Sequence, residues 1–202
     1  MKPYMSEPEI FTTEEWGARP ARATGFALHR AEGIIIHHTA GPNRPPEIGE
    51  REKSEAFNLA RRIQDFHMDD PLRRWSDTGQ HFTISRGGLI MEGRHGTLAA
   101  AKEGMVVRGA HASSVDYYNQ SWFGIELEGI NSDGFHVTLY QWESLVELCA
   151  WLSSWGRIDP RQIIGHKDVL AGHTECPGMV MERLNELRDR TARRKAEIAG
   201  RS

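Results

Sequence analysis

The run Gly33-Ile34-Ile35-Ile36-His37-His38-Thr39 is β-branched and ends where Ala40-Gly41-Pro42 forces a turn. It predicts a buried strand whose last side chains reach a sheet edge. Residues 42–55 are rich in proline and charge and predict an exposed loop. From Ser54, which has an N-cap side chain, Phe57, Ala60, Ile63, Gln64, Phe66 and His67 repeat at helical spacing, and the helix should stop near Met68-Asp69-Asp70-Pro71. His81–Ser85 and Leu89–Glu92 read as a hairpin, with Gly87-Gly88 supplying the positive φ of its turn. Gly124–Gly129 alternates, so Ile125 and Leu127 share one face and Glu126 and Glu128 the other. Two carboxylates on one face are unusual for a core strand.

Thr138 caps a helical stripe of Leu139, Trp142, Leu145, Val146, Leu148, Cys149 and Leu152 that runs to Trp155. Ile163-Ile164-Gly165 predicts a short strand, and Val180, Leu184 and Leu187 begin a terminal helix. Strands alternating with helices predict an α/β fold, a single domain with a central mixed β-sheet flanked by α-helices. A leader (1–9), a domain (10–187) and a basic tail (188–202) follow from the patterning. The tail carries six Lys or Arg against two acids, lacks apolar periodicity and reads as a solvated or frayed helix.

Composition narrows the classes. The 202 residues carry a net charge of −3, which gives no basic field and argues against a nucleic-acid partner. The N-terminal stretch has no apolar run of the secretory kind, and no stretch is long enough for a membrane span. Cytoplasmic accumulation is therefore expected, and a monomer is assumed. With two cysteines, Cys149 in an apolar stripe and Cys176 in a polar turn, a disulfide framework is excluded. The ten histidines are the compositional oddity.

Metal-ligand side chains stand at three segment ends: His37-His38 after the first strand, His166 after Gly165, and Cys176 before Pro177-Gly178. Two imidazoles and a thiolate suit zinc, with water in the fourth position of a catalytic site. His38, His173 or His81 would instead close a structural shell. Taken singly, a histidine is more often a satisfied polar residue than a ligand.

Together the motifs resemble a known family. Thr12-Thr13-Glu14-Glu15-Trp16-Gly17-Ala18-Arg19-Pro20 is similar to the opening of peptidoglycan recognition protein domains, and Ile34–Gly41 to their first metal strand. The similarity continues through Ile63–Met68, Gly79–Phe82, Glu92–Arg94, Gly109–Ala112 and Gly165–Val169 to Thr174–Gly178, in collinear order over residues 10 to 185. These proteins are grouped with the zinc-dependent N-acetylmuramoyl-L-alanine amidases of the amidase-2 class, which include phage lysins and a cytoplasmic recycling amidase. The resemblance implies Zn2+ held by His37, His166 and Cys176, a peptidoglycan or muropeptide substrate, and a groove contacted by His67, Arg94 and His111. Each of these three also has a packing or surface reading. Trp75, Trp122 and Tyr117 are candidates for stacking on sugar.

Some positions depart from that pattern. Gln80 stands where catalytic recognition proteins and phage lysins carry Tyr, and an amide is no phenolic acid. Phe123–Gly129 instead resembles the strand of the recycling amidases, whose catalytic Glu falls on Glu126. The ten-residue step from His166 to Cys176 is also of that type, although those enzymes have Asp at the last position. The resemblance thus implies Glu126 as general base and Thr174, with His173, as oxyanion donor. Glu128 reads as structural. A lytic amidase is the expected function; a binding module that does not cut, and the recycling enzyme, are its rivals.

Overall fold

The apolar runs become the strands of one sheet. In the computed structural model, which describes residues 7–113, 115–130, 137–169 and 172–199, the chain passes through β1 (Ile10–Phe11), β2 (Leu28–Arg30), β3 (Gly33–His38), α1 (Gly49–Asp69), β4 (Phe82–Ile84) and β5 (Ile90–Glu92). It continues through α2 (Thr97–Ala101), β6 (Met105–Val107), α3 (Asp116–Ser121), β7 (Trp122–Leu127), α4 (Leu139–Trp155), β8 (Ile163–Gly165), the single turn α5 (His166–Val169) and α6 (Leu184–Ala199). The sheet order is β1-β5-β4-β7-β3-β8, and β2 pairs with β6 apart from it. β4, β7, β3 and β8 are parallel while β5 opposes β4, so the sheet is mixed, as expected. The expected leader lies mostly in residues 1–6, outside the described residues; Ile10 opens β1.

Side-chain alternation divides the layers. Ile34, Ile36, Phe82, Ile84, Ile125 and Leu127 face α4 and α6 and form the main core. On the other face Met91 packs with Ala56 and Ala60 of α1, and Ile35 packs with Ala112 and Trp122. His37 and Glu126 follow Ile35 and Gly124 on that second face, at the end not filled by hydrocarbon. Thr138 caps α4, and its hydroxyl and the Gln141 side chain satisfy each other's backbone N–H groups. The hairpin turn uses Gly88, at φ +88°, where a Cβ would meet the Tyr140 carbonyl at 2.8 Å.

Two elements differ from the patterning. The first helix begins at Gly49, five residues before Ser54, and Ser54 is no cap. Its opening turn is anchored by tertiary contacts: buried Glu52 pairs with Arg44 and accepts the backbone N–H groups of Glu47 and Gly87. Arg44 also pairs with buried Glu128, which accepts the Arg86 N–H. Arg44→Leu strips both carboxylates of this guanidinium and is expected to cost about 3 to 5 kcal/mol, read as a lower denaturant midpoint.

The segment after Arg188 is the second half of α6, through Ala199, rather than a solvated end. Thr191 and Ile198 are buried, Arg190 and Arg194 pair with Glu143 and Glu147 of α4, and Lys195 donates to the Ile158 carbonyl. Charge spread along a helix reads as solvation in sequence, but here it ties two helices together.

Candidate metal centre

β3, β7 and β8 are parallel, so their carboxyl ends meet on one edge, the side on which open parallel sheets take ligands. Register sets His37 directly beside Glu126. β8 ends at Gly165, and His166 follows as the first residue of α5. Cys176 is brought to the same place by backbone contacts: its carbonyl accepts the Lys167 N–H at 2.7 Å and its sulfur the His38 N–H at 3.3 Å. The following turn presses against β8 so closely that a Cβ at Gly165 would stand 2.1 Å from the Met181 sulfur. Gly165 is what permits that approach.

The donor atoms of His37, His166 and Cys176 lie within 4.8 Å of one another. Cys176 Sγ is 3.9 Å from His37 Nδ1, and the two imidazole rings are 4.5 Å apart. Burial keeps His37 neutral, its pKa well below the ordinary value, and so leaves it a lone pair to donate. His166 Nε2 is buried and, among the described residues, has no hydrogen-bond partner. Burial also pushes the Cys176 thiol up to about 12, so a cation is the partner that would stabilise its thiolate. Two nitrogens and one sulfur gathered this way fit zinc.

The other histidines do not complete the shell among the described residues. His81 is locked between the Gly124 N–H, which it accepts at Nδ1, and the Val107 carbonyl, to which Nε2 donates. His173 is exposed and outside the cleft, and His38 lines the cleft but is not in the donor group. The three donors therefore face an open cleft of about 460 Å³.

Glu126 stands on the cleft wall. Desolvation raises its carboxyl to about 7, against the hydrogen bond from Gln80 Nε2, which pulls the other way. A carboxylate so poised can exchange a proton near neutral pH. Thr174 Oγ1 accepts the Cys176 N–H at 3.1 Å, which leaves its hydroxyl hydrogen free to donate within the cleft that it lines. His67 accepts the Gly79 N–H at Nδ1 and is held neutral, its pKa lowered to about 4 mainly by burial, so Nε2–H is the donor it offers. Trp75 stacks against His67, ring centroids 4.7 Å apart.

Other expected groups lie differently. Arg94 is buried beside a separate cavity of about 510 Å³, donating to the Arg108 carbonyl and Ser76 Oγ, so it does not reach this cleft. His111 lines the cleft but spends both ring nitrogens inside the protein, on His37 and the Trp122 carbonyl. Trp122 is buried in the core beneath, and Tyr117, bonded to Glu32, is outside the cleft. Arg73, which the sequence motifs do not single out, is the guanidinium at this cleft among the described residues: it lies over Phe66 at 4.4 Å and pairs with Asp70. Its position between His67 and Trp75 in the chain was the available signal.

Comparison with known proteins gives a consistent picture. The profile of the family described as N-acetylmuramoyl-L-alanine amidase matches residues 27–179. Peptidoglycan-recognition protein LB of Drosophila melanogaster is 31% identical over 173 residues, which cover 84% of this chain but 64% of that protein. Its solved structure superposes with a TM-score of 0.65 at 28% identity, covering 88% of this chain and 92% of that one, and a variant of it was solved with tracheal cytotoxin bound. The N-acetylmuramoyl-L-alanine amidase LysC of Clostridium intestinale is 25% identical with a TM-score of 0.63, covering 92% of this chain and 99% of that one.

Proposed function

This chain belongs to the N-acetylmuramoyl-L-alanine amidase family, and from that premise we propose that it is a zinc-dependent, lytic amidase that hydrolyses the bond between N-acetylmuramic acid and L-alanine in peptidoglycan. The observation that carries the reading is the convergence of three metal donors and a raised carboxyl on one open cleft. A module that only binds muropeptide has no use for that carboxyl beside the donors.

His37, His166 and Cys176 would hold the ion. Bound zinc supplies Lewis-acid polarisation of the amide carbonyl and acidifies water towards a pKa of about 7. Glu126 accepts the proton of the attacking water on its carboxylate and returns it to the departing alanine nitrogen. Gln80, donating to Glu126, orients that carboxylate where a phenol stands in similar proteins. The Thr174 hydroxyl donates to the carbonyl oxygen as charge develops on it. His67 offers a neutral N–H to an acceptor on the substrate, and Arg73 a cation to a stem-peptide carboxylate.

Purified cell walls incubated with the protein should release muropeptides cut at the lactyl amide, and a chelator should stop the release. Binding without release in the presence of zinc overturns the proposal. Mass spectrometry of products from intact walls and from anhydromuropeptide separates lysis from recycling.

Cys176→Asp is expected to keep part of the activity, because a carboxylate oxygen reaches zinc at about 2.0 to 2.2 Å, close to the 2.3 Å of sulfur. Cys176→Ala should lose it. Equal zinc content and rates in all three proteins would reduce Cys176 to a core thiol.

A further inference from the structure

His111 forms a link from backbone to metal donor. Its Nε2 lies 3.1 Å from the Trp122 carbonyl oxygen and its Nδ1 3.1 Å from His37 Nε2, while His37 Nδ1 faces Cys176. A carbonyl only accepts, so His111 carries its proton on Nε2. Its Nδ1 is then a lone pair and must accept from His37, whose proton is thereby fixed on Nε2 and whose Nδ1 is left bare. The opposite wiring sets a bare nitrogen against the Trp122 oxygen.

The fold is built to hold this ring. The Asn119 side chain accepts the backbone N–H groups of His111 and Ala112, both at 2.9 Å. On β7, a Cβ at Gly124 would strike the ring, 2.6 Å from Cγ. We propose that His111 is a positioning residue that fixes the tautomer of His37 and presents His37 Nδ1 to the metal, rather than a group that contacts substrate. The proposal rests on the metal reading of His37, which is tested separately.

Long-range proton–nitrogen NMR on the metal-free full chain near pH 7.5 is expected to show His37 and His111 each protonated on Nε2. A proton on Nδ1 of either ring overturns the wiring. Zinc titration against a chromophoric chelator gives the second readout: His111→Leu should weaken binding about 10- to 100-fold, the usual effect of losing such a partner. His111→Asn, which sets an acceptor oxygen near the place of Nδ1, should restore most of it. Unchanged affinity in His111→Leu, or equal losses in the two variants, would make the ring mere packing. Should His111→Leu not fold, the NMR result on the unmodified chain still decides. A wild-type chain with the stated tautomers that binds no zinc defeats the metal reading and not the wiring.

Discussion

His37→Ala is expected to lose its zinc and all measurable amidase activity while remaining folded. With His37 gone, one imidazole and one thiolate remain, too few for a mononuclear site that keeps a position open for water. The strand itself does not depend on the ring, because Ile34, Ile35 and Ile36 bury it on both faces and β7 and β8 pair with it on both sides. The structural cost is the buried His111 Nδ1 left without its donor, about 1 to 3 kcal/mol, which should lower the melting temperature without abolishing the transition. Metal analysis of the purified variant, beside circular dichroism, makes the measurement. Full zinc with full activity would move the ligand role to His38 or another group.

Much of this arrangement is legible in the sequence where one physical cue acts alone. The β-branched run before His37, the alternation around Ile125 and the stripe behind Thr138 each yield the element they predict, because hydrophobic period and burial agree there. The start of α1 is not legible, since Glu52 finds its partners in Arg44, Gly87 and the Glu47 backbone, all three outside the helix and one of them 35 residues on. The α6 extension is hidden for a similar reason: Arg190 and Arg194 look solvated until α4 sets Glu143 and Glu147 opposite them.

At the site, motif order brings forward the three donors and Glu126, and they converge in space. The partners of His111 and Arg94 depend on backbone carbonyls of Trp122 and Arg108, which carry no side-chain signature. Sequence shows an imidazole or a guanidinium and suggests a substrate; only the fold shows that the polar atoms are already engaged.

Glu126 offers the measurement that separates catalysis from metal binding. Glu126→Gln keeps size and shape, and its amide oxygen still accepts from Gln80, so the wall of the cleft should stay in place. What disappears is a base whose carboxyl, raised to about 7 by desolvation, can take a proton from water and give it back within one turnover near neutral pH. The variant should bind zinc and muropeptide as before while kcat falls by about 10² to 10⁴ with KM little changed, the pattern of an interaction made in the transition state alone. Glu128→Gln is the control from the same segment. Its carboxylate holds Arg44 at 2.7 Å and the Arg86 N–H at 2.7 Å, so its loss should cost about 3 kcal/mol of stability and leave kcat of the folded fraction near normal. A drop in zinc content in Glu126→Gln would place Glu126 among the ligands. An unchanged kcat would take it out of the reaction and pass the proton transfer to another group of the cleft.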